Sequence, residues 1–503
     1  MHRPQQTGLS GRSEAGAAPQ DLLDTPAAGP AAIRGSVVRA GGYVATAAVA
    51  LVSVSLLIRH VGVVEFGHYV TVLSLVTLAA TLSDAGLTTL AIREYSVRGP
   101  AERERLMANL LGLRLVLTAV GVLGAVVFAL AAGYEQRLVL GTLIAGLGVL
   151  LTAVQGTYAV PLSSMLRLGT VTALDFARQL LATVLTVVLV LSGATLLGFF
   201  AIPIPVGIAI LIATRRYVRA EVPLAPRLDR DEWRALMIAV VPIGVAVTLA
   251  AIYFRVTILA MSLIASDEQT GYYATAYRVL EVIVLLPGLL VGSAFPVLAR
   301  AARDDSERLA YATQRLSEAM VVLGAWVGVT VVLTADFAIG ILAGGASAPS
   351  VPVLQIQSVA IAVAFVSTTW ALGLVSLARY GSLLRITAAT LTLLLTLTIV
   401  LVPVLEAQGA AIAIATADTA GALLLFVVLR GRNVGVRFPT GTVLRVAPAV
   451  ALALATLLIP QLSSVARGVI GSAVYFVAIL ALRAIPPEVM HAFRERFAQR
   501  PAS

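Results

Sequence analysis

Among the charged residues inside long apolar stretches of this sequence, eight have types and spacing that limit the chemistry that it could perform. Four are basic and four are acidic: Arg114, Arg178, Arg255, Arg278, Asp84, Asp175, Glu281 and Asp418. A charge near the centre of a membrane span costs at least about 2.5–3.5 kcal/mol, so it needs a partner, a wet cavity or a route to the surface. These residues are therefore the candidates for binding and for ion coupling.

Two of the charged pairs can neutralise themselves within one helix. Arg278 and Glu281 are three residues apart, as are Asp175 and Arg178, and residues at that spacing share a helix face. A structural ion pair is the favoured interpretation of both. Each pair remains polar, so it could also line a cavity.

The other four charges have no opposite charge at that spacing on their own helix. Arg255 lies near mid-membrane at about 1.5 Å per residue, where it either binds a ligand or pairs with another helix. Arg114 lies about two turns from the inner end of its span, where snorkelling explains it equally well. Asp418 is either a proton or cation site or the partner of a buried arginine such as Arg255. Asp84, beside Gly86, is expected to cap a local helix break.

Composition indicates an all-α integral membrane protein. The 503 residues are 59% hydrophobic and 12% charged, whereas a soluble chain of this length needs more charge to cover its surface. Apolar runs of about 20 residues, enough to cross a bilayer, recur along most of the chain. Backbone groups in lipid must be satisfied within their own segment, so these runs should be helices.

Cysteine, histidine and charge usage exclude several classes of site. The absence of cysteine rules out disulfides and thiolate metal sites, and four scattered histidines argue against a histidine-built metal or catalytic centre. We expect no cofactor. The net charge of +10 comes from arginines in loops between apolar runs, which indicates membrane topology and not nucleic-acid binding.

Fourteen membrane-spanning helices are predicted, with both termini in the cytoplasm. They are 36–58, 66–91, 108–132, 138–160, 168–191, 195–214, 236–264, 270–297, 319–343, 351–377, 383–404, 408–429, 443–461 and 468–485. Of the 36 arginines, three fall in outer connectors, four within spans and the other 29 on the cytoplasmic side. This bias follows the positive-inside rule and indicates a multi-pass protein of the plasma membrane.

The predicted domains include two six-helix lobes that repeat one motif. In order, we expect a disordered tail (1–33), the first lobe (34–214), a cytoplasmic linker (215–235), the second lobe (236–430), two further transmembrane helices (431–485) and a cytoplasmic tail (486–503). The run from Phe66-Gly67 to Thr71 recurs 204 residues later, from Thr270-Gly271 to Thr275. Six spans per unit is an even number, so the lobes should be parallel repeats about an axis along the membrane normal.

Several short motifs carry a family resemblance. They are Arg255-Val-Thr-Ile-Leu, the run from Gly271-Tyr-Tyr to Glu281, Ala294-Phe-Pro-Val-Leu-Ala-Arg300, Phe66-Gly67-x-Tyr69, Ser83-Asp84-Ala-Gly86-Leu87 and Gln408-Gly409-Ala410-Ala411. In this order and spacing, over about residues 34–430, the chain resembles Wzx-type polysaccharide flippases of the multidrug/oligosaccharidyl-lipid/polysaccharide exporter superfamily.

The resemblance implies an architecture and an activity. The two lobes would form a V around a central cavity, with two extra C-terminal helices. The protein would move a polyprenyl-diphosphate-linked oligosaccharide from the cytoplasmic to the outer leaflet by alternating access, for cell-surface polysaccharide synthesis. Its partners would be this substrate and membrane lipids, together with a polymerase and glycosyltransferases. The family often has an acidic residue where this chain has Thr257, so ion coupling is not expected at that position.

Residue roles follow from the same resemblance. Arg255 would contact the diphosphate, because a planar guanidinium donates several hydrogen bonds to phosphate oxygens. Arg278, Arg114 and Arg178 would line the cavity. Tyr277 would stack on sugars.

Three other functions compete with this interpretation. A multidrug/cation antiporter belongs to the same superfamily, but two extra spans and a basic cavity favour an anionic lipid-linked substrate instead. A lipid II flippase is a nearer relative and stays an alternative. A membrane glycosyltransferase or polymerase is less favoured, because it needs a sizeable extracytoplasmic surface and the predicted outer connectors, such as 265–269, are short.

Overall fold

The computed structural model describes residues 28–165, 167–218, 225–292, 294–304, 306–431, 435–459 and 461–484, which are almost entirely helical. The helices are α1 (Ala28–Asp84), α2 (Leu87–Val97), α3 (Pro100–Ala131), α4 (Gln136–Tyr158), α5 (Val160–Ser164), α6 (Leu168–Leu191), α7 (Leu196–Ala201), α8 (Pro203–Tyr217), α9 (Arg230–Ile264), α10 (Asp267–Ile283), α11 (Leu285–Gly292), α12 (Phe295–Asp304), α13 (Ser306–Ala343), α14 (Ser350–Ser376), α15 (Tyr380–Arg430), α16 (Thr440–Leu454) and α17 (Ser464–Ala481). The predicted all-α membrane fold is confirmed.

Twelve helices in the described part of the chain are long and apolar enough to cross a membrane. Two of them, Ala45–Val97 and Tyr380–Arg430, have 53 and 51 residues, against the ~20 that one crossing needs. Each bends at a residue outside helical geometry, Gly62 with φ +82° and Glu406 with φ +51°. Dividing both at the bend yields fourteen segments, and the number of crossings stays a prediction.

Helix extends into several segments that were predicted as loops or tails. The predicted connector 92–107 is helical apart from a break at Arg98–Gly99, because Pro100 starts α3 at a position where its missing N–H costs nothing. Residues 28–33 belong to α1, so the predicted disorder of 1–33 is wrong for these six residues. The rest of that tail, residues 1–27, and the predicted tail 486–503 lie outside the described residues.

The two repeated motifs contact each other. We call 34–214 the N-lobe and 236–430 the C-lobe, and use "inner" and "outer" for the predicted cytoplasmic and extracytoplasmic ends. A methyl group on Gly67 would lie 2.9 Å from Gly271 N, and one on Gly271 would lie 2.2 Å from Val63 O. Only glycine permits this approach of α1 to α10. Equivalent residues of two repeats meet only beside their common axis, which supports a two-fold relation between the lobes. Their parallel orientation stays a prediction.

Polar contacts also join the lobes at the outer end. Arg59 Nη2 donates to Gly340 O at 2.9 Å and to Ile341 O at 2.6 Å, at the C-terminal end of α13. The His68 Nε2 atom lies 3.2 Å from Asp267 Oδ2 in the first turn of α10. Together with the glycine contact, these bonds hold the outer ends of the lobes against each other.

The lobes meet again nearer the inner end, at a break in the N-lobe. Helix α1 ends at Asp84, Ala85 and Gly86 have φ of +37° and +87°, and α2 begins at Leu87. A methyl group on Gly244 of α9 would lie 2.8 Å from Ala85 O. The break predicted beside Asp84 is therefore present, and it packs directly on α9 of the C-lobe.

The described end of the linker is fastened to the N-lobe. Asp229 N donates to Asn109 Oδ1 at 3.0 Å, and a methyl group on Gly112 would lie 2.5 Å from Arg227 O. Arg105 donates to the Asp229 carboxylate, which also caps α9 by accepting from two backbone N–H groups. The Arg105 guanidinium holds the pKa of the Asp229 carboxyl below its usual range.

Candidate functional site

A cluster of three charges joins α9 to α10 in the C-lobe. Arg255 Nη2 donates to Glu281 Oε1 at 2.9 Å, and Arg278 Nη1 donates to Glu281 Oε2 at 2.7 Å. One carboxylate serves two guanidinium groups, so the cluster carries a net charge of +1. The side chains of Arg255, Arg278 and Glu281 are 17%, 19% and 27% exposed, which leaves donors open to solvent.

This geometry identifies the ion-pair partner of Arg255 and shows that the arginine keeps donors for a ligand. Its ion pair with another helix, one of the two sequence-based alternatives, is present, and the partner is the glutamate that was predicted to pair with Arg278. A partly exposed guanidinium that donates one hydrogen bond to this glutamate keeps further donors for an anion. The ion pair and a binding role are therefore compatible.

Tyr277 is buried in the C-lobe. It is 2% exposed, and its ring stacks on that of Tyr273 with the centroids 5.8 Å apart. Its hydroxyl donates to Phe254 O at 2.7 Å, next to Arg255 in the chain. In this conformation Tyr277 is packed in the core and braces α9 beside Arg255. Its stacking on sugars stays a prediction.

A cavity of about 300 Å³ in the C-lobe is lined by Asp418 among other residues. The Tyr253 hydroxyl donates to Asp418 Oδ1, and the cavity is also lined by hydroxyl groups, among them those of Thr387 and Thr390. Because Arg255 pairs with Glu281, the suggested pairing of Asp418 with Arg255 is not observed. A coupling role for Asp418 stays a prediction.

The N-lobe holds its deepest charge at Arg114. This arginine is 3% exposed, and Nη2 donates to Asp84 Oδ1 at 2.5 Å and to the Thr88 hydroxyl. The Thr88 hydroxyl donates to the same aspartate oxygen at 2.7 Å. Snorkelling is excluded, because the guanidinium is buried against α1 and α2. Asp84 contacts side chains and does not cap the backbone of the next helix, whose N-cap is Gly86.

Arg178 completes the charged lining of the N-lobe. It donates to Gln155 Oε1 on α4, and Asp175 interacts with it electrostatically from the preceding turn of α6. Gln155 in turn donates through Nε2 to the Thr214 hydroxyl at 3.1 Å. The side chains of Asp84, Arg114, Gln155, Asp175 and Arg178 line one cavity of about 460 Å³, which we call the N-lobe cavity.

Gln155 is a site residue that the sequence interpretation missed, although a signal was available. It is an uncharged amide inside an apolar run, and such a residue in a span usually faces protein or a cavity. Gln357, in α14, has the same signature and is fully buried. A search for isolated amides as well as charges would have found both.

The described residues contain no cluster of three or more histidine or acidic side chains placed to hold a metal ion. The two arginine clusters instead supply hydrogen-bond donors, and guanidinium groups bind phosphate and sugar oxygens.

More than half of the sequence matches one protein family. A family described as "Polysaccharide biosynthesis protein" matches residues 32–302. The chain belongs to the polysaccharide biosynthesis protein family. The match begins at the first span and ends beyond the Arg255 cluster, so it covers both charged regions. No curated protein sequence matches this family member significantly.

Solved structures share the fold of this family member at low sequence identity. A lipid II flippase, MurJ, in an inward closed conformation aligns with a TM-score of 0.75 and 11% identity, over 89% of this chain and 99% of that one. An inward-facing multidrug resistance MATE family transporter aligns at 0.59 and 11%, over 79% and 98%. A transporter of the same superfamily from Pyrococcus furiosus aligns at 0.54 and 12%, over 80% and 94%.

Family and fold together identify a class of protein. The family match and the shared fold confirm the resemblance to Wzx-type flippases seen in the sequence. This member of the polysaccharide biosynthesis protein family therefore shares the fold of a lipid II flippase and of MATE transporters, and twelve of its described helices are long and apolar enough to cross a membrane.

Proposed function

We propose that this protein moves a polyprenyl-diphosphate-linked oligosaccharide from the cytoplasmic to the outer leaflet of the plasma membrane by alternating access. The observation that carries this proposal is the cluster of Arg255, Arg278 and Glu281, in which two guanidinium groups share one carboxylate, so that these three residues together carry one positive charge within the membrane. Such a charge is costly in lipid. A transported anion would offset that cost.

Chemistry favours a diphosphate as this anion. Arg255 and Arg278 each present several N–H donors, and Glu281 uses only one donor of each. A diphosphate offers oxygens to the remaining donors of both arginines at once. The proposal also includes a cytoplasmic position for both termini. It further holds that the two lobes are the units that move during alternating access.

Coupling is assigned to Asp418. It lies within the membrane on α15 and contacts Tyr253, two residues before Arg255. A proton or cation bound at Asp418 would therefore act on the helix that carries the diphosphate site. Asp418→Asn should weaken the dependence of transport on external pH. If stability and pH dependence are both unchanged, Asp418 has no such role.

Deletion of the gene provides the direct test. Cells that lack it should accumulate the lipid-linked glycan in the inner leaflet and lose surface glycan, and the wild-type gene should reverse both effects. Arg255→Ala should fail to do so at normal abundance, whereas Arg385→Ala, which replaces an exposed arginine at the predicted inner end, should succeed. No accumulation with unchanged surface glycan contradicts the proposal.

Lipid II is the nearest alternative substrate. It also carries a polyprenyl diphosphate, and the lipid II flippase MurJ shares the fold. Complementation of a strain depleted of its own lipid II flippase separates the two: growth supports lipid II, and failure at normal abundance supports the polysaccharide precursor.

A further inference from the structure

The N-lobe cavity differs from the C-lobe cluster in its charge. Arg114 and Arg178 are balanced there by Asp84 and Asp175, so the four charges sum to zero. A site without net charge gains little from a phosphate. Its alternating donors and acceptors instead suit a neutral ligand that carries both, and each sugar hydroxyl is one donor and two acceptors.

The cavity also retains unused hydrogen-bonding capacity. The Nε atoms of Arg114 and Arg178 are buried and have no hydrogen-bond partner. Hydroxyl groups of Ser83, Thr118 and Thr152 line the same space. Arg114 pairs with Asp84, and the paired charges still border a space of about 460 Å³, a volume typical of small-ligand sites.

Exposure shows that the cavity has a floor and a mouth. Arg114 and Gln155 form the floor and are 3% and 6% exposed. Thr152 and Asp175, at the mouth, are exposed. The fixed groups are therefore buried while the space beside them can be entered.

The position of the cavity fits a ligand that extends from the Arg255 cluster. Asp84 of the cavity precedes Ala85, which packs on Gly244 of α9. Arg255 lies eleven residues further along the same helix, or about 16 Å at 1.5 Å per residue. A diphosphate at Arg255 could thus place the first sugars of its glycan, which extend toward the inner end, at the N-lobe cavity.

We propose that the N-lobe cavity binds the glycan of the substrate, through sugar hydroxyls, while the Arg255 cluster binds its diphosphate. This inference rests on the proposed function. It makes the N-lobe the part of the protein that distinguishes one lipid-linked glycan from another. The C-lobe would accept any polyprenyl diphosphate.

Because the chain has no cysteine, a single introduced cysteine can report on each site. Thr152→Cys places it at the mouth of the cavity, and Ala251→Cys places it one helical turn from Arg255. Ser96→Cys, exposed on α2, is the control.

Each variant is purified after it has been shown to restore surface glycan in the deletion strain. Its reaction with a polar maleimide is then timed with bare undecaprenyl diphosphate or with glycosylated polyprenyl diphosphate extracted from the source cells.

The glycosylated lipid should slow the labelling of Thr152→Cys and of Ala251→Cys alike, by about tenfold when it is about ten times its dissociation constant, because one site in about ten stays free. The bare lipid should slow labelling only in Ala251→Cys, and neither lipid should affect Ser96→Cys. Equal protection of Thr152→Cys by both lipids, or protection of Ala251→Cys alone by the glycosylated lipid, overturns the glycan site. Protection of neither by either lipid overturns the proposed function as well.

Discussion

The N-lobe and the C-lobe hold their membrane charges in different ways. In the N-lobe, two arginines face two aspartates around a cavity of about 460 Å³, and the deepest guanidinium is almost fully buried. In the C-lobe, Arg255 and Arg278 share the single carboxylate of Glu281 and remain partly exposed. The four charges of the N-lobe sum to zero and the three of the C-lobe sum to +1, although the two lobes contain the same repeated motif.

This difference shows that the repeat specifies backbone and the individual residues specify chemistry. Arg278 and Glu281 stand 204 residues after Ser74 and Thr77, so the equivalent turn of the N-lobe carries hydroxyl groups where the C-lobe carries charges. The glycines of the motif, in contrast, are retained at their contact. A shared fold thus positions unlike sites, which is the usual relation between fold and function.

The largest expected effect separates transport from stability. Arg255→Ala should reduce transport at least about tenfold, the equivalent of one charged hydrogen bond, with little loss of stability, because Glu281 keeps Arg278. Arg114→Ala, in the floor of the N-lobe cavity, should reduce transport too, and it should in addition lower the free energy of unfolding by about 2 kcal/mol, less than for a fully buried pair because Asp84 is partly exposed. Transport assays and thermal unfolding of both variants test this. The reverse assignment would refute the contrast between the lobes.

The contact between the repeats should respond to one methyl group. Gly271→Ala has no room beside Val63 O, so the outer ends must separate, and the population with closed outer ends should fall about fivefold, as for about 1 kcal/mol. Spin-label distances across the outer end would show the change. Gly124→Ala, where nothing lies within 4 Å, is the matched control. Unchanged distances in the Gly271 variant would show that this contact does not hold the outer ends together.

A smaller effect on lipid binding is expected when the net charge of either site is raised by one. Glu281→Gln leaves the Arg255 cluster with two positive charges, and Asp84→Asn leaves the N-lobe cavity with one. Bare undecaprenyl diphosphate should bind the first variant a few-fold more tightly, as expected for one added partly screened charge, and should release more slowly. The second variant should gain weak binding of the same lipid at the N-lobe. Binding titrations measure both, and weaker binding by Glu281→Gln would contradict the charge argument.

The smallest effect is expected at the linker. Arg105 lowers the pKa of Asp229, so this contact contributes stability above the usual aspartate pKa, and the contribution is lost as the pH falls through the lowered pKa. Between about pH 5 and about pH 3, proteolysis of the linker should accelerate slightly. Arg105→Gln should accelerate it at neutral pH and flatten the pH dependence. A steeper pH dependence in that variant would rule out this pair.

Prediction from the sequence succeeded for the helices and failed at several side chains. The apolar runs located almost every helix, because transfer from water to lipid is a sum over each segment's own residues. The predicted connector at 92–107 is helical apart from Arg98–Gly99, and hydropathy did not detect this helix because the segment is rich in polar residues. The burial of Tyr277 was not predicted, because a tyrosine in a span can face a cavity or a core, and only packing distinguishes these.

The sequence by itself determined that this is an all-α membrane protein with arginines at unusual depth, and it contained the repeated motif. Only the tertiary structure decided which charges meet. Arg255 pairs with a residue 26 positions away and Arg114 with one 30 positions away, each on a neighbouring helix. Hydropathy and helical periodicity act within one segment, whereas the facing of two helices depends on packing between them. For that reason the neutral N-lobe cavity and the positive C-lobe cluster became visible only in three dimensions.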